Sequence, residues 1–380
     1  MRHICFVRIA FVTESFLPVV NGVTNSVLRL LEHLDKTPHD ALVIAPGKGP
    51  DSYLRFPVKR VPSIGVPRYR SFRLGLPCSR VGAALEEFDP EIVYVSAPLG
   101  LGAYALRVSR KLGVPTVACY QTDVAGFLDN YGLGVAADAV WKWTARVHNK
   151  AGRTLAPSSA AVTDLLANGV GNVQLWRRGV DGQLFAPERR NDALRESWCL
   201  DGRIAVGYVG RLAHEKRVDD LKVLAADDRI RLIIVGEGPL RGKLQKELPN
   251  AVFAGFRSGG DLASHFASLD VFVHTGQNET FCQTIQEALS SGVPVVAPAQ
   301  GGPIDLVQPL RNGLLYTPGD ADHLRRCTEM IVGSSILREQ LASHARKSVE
   351  ERTWKLICGQ WEQHLAEVWS EWGERRRLVA

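Results

Sequence analysis

The chain has no paired cysteine motif and no long apolar run. Seven cysteines lie scattered through its 380 residues, none of them forms a CxxC, and their number is odd. This pattern is typical of a reduced compartment and argues against a disulfide framework. The apolar runs fall short of the about 20 residues that a membrane span needs. Low-complexity tracts are also missing, and so are repeats with periods of about 20 to 50 residues, which excludes a solenoid.

The opening segment MRHICFVRIAFV does not fit a signal peptide. Arg8 interrupts its apolar run, and no small-residue cleavage site follows. We interpret it as a short leader that enters a first buried strand. We therefore expect a cytoplasmic protein, or one held peripherally on the cytosolic face of the plasma membrane.

Short β-branched runs alternate with helical patterns along almost the whole chain. Examples are the strand patterns Ile92–Ser96 and Ile204–Val209 and the helical patterns 100–112 and 281–291. This alternation predicts an α/β protein with parallel, doubly wound sheets, whose strands are apolar throughout because both faces are covered. A polar stretch at 187–192 interrupts the pattern. We therefore expect two Rossmann-like domains facing a cleft, with ligands at the carboxyl ends of the strands.

Three short motifs each resemble the signature of a cofactor-binding or metal-binding site. Gly236-Glu-Gly238 follows a strand pattern, but the next glycine falls one residue late for the GxGxxG of nicotinamide enzymes. Asp320-Ala-Asp322 resembles a metal-binding DxD motif, yet it follows a turn and opens a helix, which favours helix capping. His214-Glu215 lacks the second histidine of HExxH. We expect no metal site and no cofactor.

Three pieces of the second half carry the chemistry. In VGRLAHEK, Arg211 and Lys216 can flank a phosphate pair at the end of a strand. In ETFCQTIQE, Glu279 and Glu287 lie eight residues apart across a loop-to-helix junction. The third piece is Gly301-Gly302 with Asn312-Gly313, which by itself indicates only turns. The helix amides at the junction form an anion site, and they belong to Phe281, Cys282, Gln283 and Thr284.

These segments resemble the large retaining glycosyltransferase family 4, which has the GT-B fold. The matching stretches are PVVNGV, RRGVDGQLF, VGRLAHEK, VGEGP, ETFCQTIQEALSSGVPVV, NGLL and TWKLICGQW. PVVNGVTNSV and CYQTDVAGF are most similar to actinobacterial GDP-mannose-dependent α-mannosyltransferases that build lipid-linked mannosides of the cell envelope. Sulfolipid synthases also look related. The resemblance implies an N-terminal acceptor and membrane domain at 1–190, a donor domain at 191–354, and a helix at 355–380 returning to the first domain.

The resemblance also implies roles for single residues. Arg211 and Lys216 hold the donor diphosphate, Glu279 binds hydroxyls of the donor sugar, and Glu287 binds the ribose. Arg211, Lys216 and Glu279 are the catalytic candidates. The loop after the first strand, at Asn21 and Gly22, lets the backbone approach the diphosphate and the reacting sugar.

One position departs from the family pattern. Many relatives have a histidine in a Phe-His-Thr stretch, where this chain has Tyr120-Gln121-Thr122-Asp123. Glutamine cannot act as an acid or a base, so Gln121 would orient a hydroxyl by hydrogen bonding. Asp123 is the available carboxylate, either as an acceptor contact or as an ordinary loop residue.

Positive charge is concentrated in the first half of the chain. Residues 1–190 contain 23 Lys and Arg against 15 Asp and Glu, which leaves −2 of the net +6 for the remainder. From residue 52 to residue 85 there are seven cations and no acid: Arg55, Lys59, Arg60, Arg68, Arg70, Arg73 and Arg80. This basic run is either a solvated face or a patch for anionic lipid, with Arg68, Arg70 and Arg73 as the membrane candidates. No recognition helix or RNA-binding signature accompanies it, which disfavours nucleic acid.

The reaction that we expect transfers a hexose, mannose from GDP-mannose, to a hydroxyl of a lipid-linked acceptor with retention of configuration. A second interpretation is a UDP-sugar-dependent glucosyl- or sulfoquinovosyl-diacylglycerol synthase. A third, of another class, is an inactive GT-B domain that serves as a membrane scaffold. The intact Arg211, Lys216, Glu279 and Glu287 argue against loss of activity.

Overall fold

The structure is a computed structural model that describes residues 7–66, 69–123, 126, 137–198 and 200–379, without the side chains of 66, 69–72 and 375–379. The described residues form two compact units. The first contains the described residues up to 123, residues 137–178 and residues 355–379. The second contains Gly126 and residues 179–354.

The first unit is built on an eight-stranded sheet with the strand order β10-β9-β8-β7-β1-β2-β4-β3. Its strands are β1 (Arg8–Thr13), β2 (Asp40–Pro46), β3 (Ser52–Tyr53), β4 (Phe56–Val61), β7 (Ile92–Ser96), β8 (Thr116–Cys119), β9 (Arg153–Ala156) and β10 (Val173–Leu175). Neighbouring strands pair in parallel, except that β3 runs antiparallel to β4. A separate hairpin consists of β5 (Ser63–Val66) and β6 (Tyr69–Gly75).

Helices connect the parallel strands of the first unit. They are Gly22–Leu34, Ser79–Phe88, Gly100–Leu112, Ala137–His148 and Ser159–Ala167, and the C-terminal helix Trp354–Val379 joins the same unit without connecting two strands. Helix Gly22–Leu34 begins where the Asn21 side chain accepts a hydrogen bond from the Thr24 amide. Val27, Leu30, Leu31 and Leu34 recur at helical spacing, and all four are fully buried.

The second unit is built on a six-stranded sheet with the order β13-β12-β11-β14-β15-β16. Its strands are β11 (Ile204–Val209), β12 (Ile230–Val235), β13 (Val252–Gly255), β14 (Val271–Val273), β15 (Val295–Pro298) and β16 (Gly313–Tyr316). Its helices are Asp192–Ser197, Arg241–Glu247, Gly259–Ala267, Gln283–Ser290, Pro303–Leu306, Ala321–Val332 and Ser335–Ala345. All strand pairs are parallel. The strand order reverses between β11 and β14, so the carboxyl ends of these two strands are the expected ligand position of an open sheet.

Both sheets confirm the predicted α/β class with parallel, doubly wound strands. On β11, for example, Ala205 packs with one apolar cluster and Val206 with another. Because both faces of the strand are covered, its sequence is apolar without alternation. Strands β3, β4 and β10 of the first sheet are different and were not predicted. In β4 only Phe56, Val58 and Val61 are buried, and Pro57, Lys59 and Arg60 occupy the positions between them.

The chain enters the second unit at Gly179, ahead of the polar stretch 187–192 where the sequence indicates a break. The segment that follows Gly179 packs on the second unit. The rings of Phe185 and Phe266 lie 5.8 Å apart, and the Ser290 hydroxyl donates to the Phe185 carbonyl over 2.7 Å. Apolar contact therefore draws this segment into the second unit before the polar residues begin.

The C-terminal helix Trp354–Val379 belongs to the first unit from Lys355 onward. Its Trp361 is fully buried, with ring centroids 5.5 Å from Phe11 on β1 and 5.4 Å from Tyr94 on β7. The guanidinium of Arg153 on β9 also bonds to Glu367 of this helix. Residues from the two ends of the chain thus share one core. Within the described part of the chain, no helix has both the length and the hydropathy for crossing a membrane.

We predict that Trp361→Ala destabilises the first unit by about 3 to 5 kcal/mol, because it leaves a cavity between two strands and the helix. Trp369→Ala is the matched control on the same helix. Its side chain is 44% exposed, and we expect a change within about 0.5 kcal/mol. Urea unfolding followed by circular dichroism measures both. Equal losses in the two variants would contradict the packing role of Trp361.

Candidate functional site

The loop after β11 carries the two predicted cations. The Tyr208 hydroxyl donates to the Arg211 carbonyl over 3.1 Å, which folds the loop back over the end of its strand. A short 3₁₀ turn, His214–Lys216, follows. The Thr275 hydroxyl, two residues beyond β14, donates to the Lys216 carbonyl over 2.6 Å. The loops after β11 and β14 are therefore tied together at the point where the strand order reverses.

Lys216 meets Glu279 at this point. Lys216 Nζ lies 2.5 Å from Glu279 Oε1, and His274 Nε2 lies 3.2 Å from the same oxygen. The side chains are 29% exposed for Lys216, 15% for Glu279 and 3% for His274. One carboxylate oxygen thus joins a cation that reaches solvent to an imidazole that does not. We call these three side chains the charge cluster.

Mutual contact sets the charge states in this cluster. Burial would raise the pKa of Glu279, but the charge of Lys216 and the hydrogen bond of His274 hold it well below its usual range. Burial opposes a charged Lys216, but Glu279 raises the pKa of this lysine above its ordinary value. Burial likewise opposes protonation of His274, while Cys282 and Glu279 raise its pKa to about 9. At neutral pH the cluster contains one anion and two cations.

The helix that follows Glu279 begins later than predicted. It starts at Gln283, and Cys282 precedes it with a φ of 78°, in the left-handed region. The amide of Phe281 therefore lies outside the helix, which corrects the predicted start. The cause is the Gly301-Gly302 turn: the Gly302 amide donates to the Glu279 carbonyl over 2.7 Å. A Cβ on Gly302 would lie 2.2 Å from the Phe281 carbonyl oxygen, so only glycine fits against this segment.

The other predicted donor residues lie nearby in the second unit. Arg211 is 40% exposed and faces Glu215 at 3.6 Å, one residue before Lys216. Gln283 donates to the Gly179 carbonyl over 3.0 Å, and the Thr284 hydroxyl lies 3.5 Å from Cys282 Sγ. Glu287 is half-buried, about one turn along helix Gln283–Ser290.

Three side chains of this site have atoms that can act as metal ligands. The ligand atoms of His274, Glu279 and Cys282 lie within 4.8 Å of one another. The Lys216 ammonium already lies against the same carboxylate oxygen. A metal ion would have to displace this ammonium and meet a protonated His274, so the group does not fit a metal site.

Asn21 and Gly22 lie in the first unit, at the start of the helix after β1. The Asn21 side chain is engaged on both sides, since it donates to Ser15 Oγ over 2.8 Å and caps the helix at Thr24. A Cβ on Gly22 would meet no atom within 4 Å. The backbone at Gly22 is therefore open to a ligand.

Gln121 and Asp123 follow β8, also in the first unit. The Gln121 amide donates to Ser96 Oγ at the end of β7 over 3.0 Å. The Tyr120 hydroxyl donates to Asp123 over 3.3 Å. Gln121 also lines a small recess together with Ala97, Pro98, Leu99, Tyr120, Thr122, Trp143, Thr144 and His148. This recess combines amide and hydroxyl groups with an exposed indole.

The basic run from residue 52 to residue 85 divides into two parts. Arg55 donates to the carbonyls of Leu34, Thr37 and His39 at the end of the first helix. Arg60 donates to the carbonyls of Leu17 and Pro50, and Lys59 pairs with Glu87. Arg55 and Arg60 therefore stabilise the first unit, whereas the exposed pair of Lys59 with Glu87 contributes little.

The membrane candidates belong to the other part of the run. Arg73 is exposed and donates to Ser63 across the hairpin. Arg68 and the side chain of Arg70 lie outside the described residues.

His274 is the one member of the charge cluster that sequence reasoning missed. It follows directly after β14, at the carboxyl edge where ligands are expected. Its position directly after a buried strand was the feature of the sequence from which a role at the site could have been predicted. The Asp320 prediction, in contrast, is confirmed: its side chain accepts a hydrogen bond from the His323 amide and caps helix Ala321–Val332.

Two family models match the chain, one on each half. "Glycosyltransferase Family 4" matches residues 20–184, and "Glycosyl transferases group 1" matches residues 191–348. Among solved structures, the Anabaena protein HepE in complex with UDP-glucose has a TM-score of 0.76 at 22% identity, over 95% of this chain and all of the other. Sucrose-phosphate synthase from Thermosynechococcus elongatus also has a TM-score of 0.76, at 19% identity, over 96% of this chain and all of the other. At these identities the likeness concerns the fold alone.

Curated relatives are much more similar. A GDP-mannose-dependent alpha-mannosyltransferase of Mycobacterium tuberculosis is 50% identical over 93% of this chain and 95% of its own. One of Corynebacterium glutamicum is 47% identical over 95% of this chain and 89% of its own. The sulfoquinovosyl transferase SQD2 of Arabidopsis thaliana is 30% identical over 95% and 74%. With the two-sheet fold and these matches along nearly its full length, the chain belongs to glycosyltransferase family 4 and is a glycosyltransferase of the GT-B fold.

Proposed function

We propose that the protein transfers mannose from GDP-mannose to a hydroxyl of a lipid-linked acceptor, with retention of configuration and without a metal ion. The observation that carries the donor site is the contact of Lys216 with Glu279 at the carboxyl ends of β11 and β14. The donor identity is supported by three relatives at 47 to 50% identity whose names specify GDP-mannose.

The groups of the donor site suit the departure of a nucleoside diphosphate. As the glycosidic bond breaks, negative charge grows on the leaving diphosphate. Arg211, Lys216 and the helix amides of Gln283 and Thr284 stabilise that charge, and donors that are already in place typically contribute about 3 to 4 kcal/mol each. Glu279 accepts hydrogen bonds from sugar hydroxyls, and Glu287 from the ribose. Attack from the same face, with the departing phosphate helping to deprotonate the acceptor, retains the configuration.

Metal independence rests on the charge cluster. In a metal-dependent transferase a divalent cation neutralises the diphosphate. Here the ammonium of Lys216 supplies the positive charge for the diphosphate, and the imidazolium of His274, on the same oxygen of Glu279, compensates the carboxylate.

The acceptor side lies in the first unit in this proposal. Gln121 and Asp123 orient the acceptor hydroxyl at the ends of β7 and β8, where the recess brings amide and hydroxyl groups beside the exposed Trp143. The lipid part of the acceptor is in a membrane, which Arg68, Arg70 and Arg73 contact through anionic head groups. Relatives named alpha-monoglucosyldiacylglycerol synthase support a lipid acceptor.

A UDP-sugar donor is the competing interpretation, because the 30% identical relative is named a sulfoquinovosyl transferase. A thermal-shift series with GDP, UDP and ADP decides between them, since the nucleotide that binds the folded protein raises the melting temperature by mass action. We expect the largest shift with GDP. A larger shift with UDP would overturn the GDP-mannose assignment.

We predict that Arg211→Ala or Lys216→Ala lowers turnover of GDP-mannose by at least about 100-fold, because each removes a donor to the leaving diphosphate. Lys222→Ala is the matched control, since its ammonium pairs with Asp219 and Glu247 on the surface of the same unit. Release of GDP measures turnover, and wild-type activity should persist in EDTA. Full activity in both site variants would remove the diphosphate role, and loss of activity in EDTA would remove the metal independence.

The two carboxylates should separate in a binding experiment. Glu287→Gln should weaken the binding of GDP itself by about tenfold, since it loses charge-assisted hydrogen bonds to the ribose. Glu279→Gln should mainly impair transfer, because its partner is the sugar. Calorimetry with GDP alone makes the comparison. Equal losses of GDP affinity in the two variants would contradict this division of roles.

Membrane binding should depend on the hairpin arginines. The variant Arg68→Glu, Arg70→Glu and Arg73→Glu should no longer sediment with phosphatidylglycerol vesicles, while its GDP affinity stays unchanged. Wild-type binding should fade as salt rises and be absent with phosphatidylcholine.

The control for this experiment makes the same charge change elsewhere on the first unit. Arg107→Glu, Arg110→Glu and Lys111→Glu alter exposed residues of helix Gly100–Leu112 and should leave sedimentation nearly intact. If both triple variants lose binding equally, net charge rather than this patch attracts the membrane. If neither does, the hairpin is not the anchor.

A further inference from the structure

His274 is a buried histidine whose partner is a candidate catalytic carboxylate. Its imidazole is 3% exposed and lies 3.2 Å from Glu279 Oε1. The backbone fixes its place, because the His274 amide donates to Val296 on β15 over 2.9 Å. A Cβ on Gly276 would lie 2.9 Å from both Glu279 Oε1 and His274 Nε2. The chain thus has glycine where any other side chain would crowd this contact.

The two cations of the charge cluster differ in their freedom to move. Lys216 is 29% exposed and has a long flexible side chain, whereas His274 is enclosed. In the free protein the Lys216 ammonium lies against Glu279. To bind the diphosphate of a donor, this ammonium must turn at least partly away from Glu279 and toward the phosphates. A buried carboxylate that loses its cation is left uncompensated, which is strongly unfavourable.

We propose that His274 is a positioning residue that holds Glu279 as an imidazolium and thereby frees the ammonium of Lys216 for the donor diphosphate. The inference rests on the proposed function, since it takes Lys216 as a diphosphate ligand. It adds an exchange of partners: Glu279 passes from two cations in the free protein to one in the complex, and Lys216 passes from the carboxylate to the phosphate. No covalent bond changes, and His274 does not touch the substrate.

Several charged or titratable groups face this cluster. The loop after β11 contributes Lys216 and Glu215, β11 contributes Tyr208, and the segment after β14 contributes Glu279 and Cys282. Burial raises the pKa of Tyr208 well above its usual value, and the pKa of Lys216 is also raised. With the pKa of His274 at about 9, the imidazolium is present below pH 9 and is lost as the pH rises through that value. Cys282 Sγ lies within 4.8 Å of the ligand atoms of His274 and Glu279, so this side chain requires its own control.

The test compares GDP with guanosine, which has the same base and ribose but no phosphate. In His274→Gln, Glu279 loses the imidazolium and retains the ammonium of Lys216, so we expect GDP to bind about tenfold more weakly while guanosine binds as before. His265→Gln is the matched control, a histidine that is 2% exposed in helix Gly259–Ala267 of the same unit. Calorimetry gives the ratio of the two affinities. If the ratio of GDP affinity to guanosine affinity in His274→Gln equals that of wild type, the inference is overturned. This includes the case in which both ligands lose affinity equally.

A second measurement needs no change at His274 and so does not depend on how the variant folds. In wild type, the preference for GDP over guanosine should fall several-fold between pH 8 and pH 10, with a midpoint near the His274 pKa of about 9. The shared base cancels from the ratio. Cys282→Ser should keep this response but move its midpoint to lower pH, because Cys282 contributes to the raised pKa of His274. A flat ratio in wild type, or a flat ratio in Cys282→Ser over the whole range from pH 6 to pH 10, would overturn the inference.

Lys216→Ala distinguishes failure of the inference from failure of the proposed function. If this variant binds GDP and guanosine with the wild-type ratio, Lys216 is no diphosphate ligand, and the inference falls with the proposed role. If Lys216→Ala lowers the ratio and His274→Gln does not, the diphosphate role stands and only the exchange of partners is overturned.

Discussion

A carboxylate that stays ionised while mostly out of water needs compensating hydrogen bonds or positive charge, and positive charge meets this need at the end of the second sheet. Glu279 is 15% exposed, with Lys216 and His274 on one of its oxygens. Lys216 comes from the loop after β11, His274 and Glu279 come from the segment after β14, and the hydroxyl of Thr275 ties the two segments together. The glycines of the neighbouring Gly301-Gly302 turn leave room for the segment that carries Glu279. The backbone thus maintains a charge arrangement that apolar packing alone would not produce.

Much of this arrangement could be predicted from sequence, because parallel sheets impose a strong pattern. Strands covered on both faces are apolar runs, and Ile92–Ser96 and Ile204–Val209 have the predicted bounds. The carboxyl ends of such strands meet at one edge, so the placing of Arg211, Lys216 and Glu279 at that edge follows from topology. The contact of Lys216 with Glu279 does not follow, since it depends on the path of two loops. His274 went unnoticed because a histidine at a strand end is equally compatible with an ordinary core position.

Charge patterns in sequence do not specify their partners. The basic run from residue 52 to residue 85 has no acid of its own, which suggests a surface for an external anion. In the structure Arg55 satisfies backbone carbonyls at a helix end, and Arg60 satisfies those of two loops. Every residue has a backbone carbonyl, so a sequence does not show which carbonyls accept a hydrogen bond from a side chain. A cation that donates to backbone carbonyls therefore cannot be distinguished, from sequence, from one that faces solvent. The helix start at Gln283 illustrates the same limit, because the left-handed residue Cys282 reflects packing against a distant turn.

The C-terminal helix has a consequence for the order in which the protein can be made. Trp361 completes the core against Phe11 and Tyr94, yet the ribosome reaches it only after the whole second unit has been synthesised. A nascent chain therefore presents β1 and β7 with one face uncovered while the second unit, which is contiguous apart from Gly126, can already fold. Domains usually fold as they emerge, with the N-terminal one first. In this chain the later unit is the one that can complete its core first, while the first unit can do so only once helix Trp354–Val379 has been synthesised.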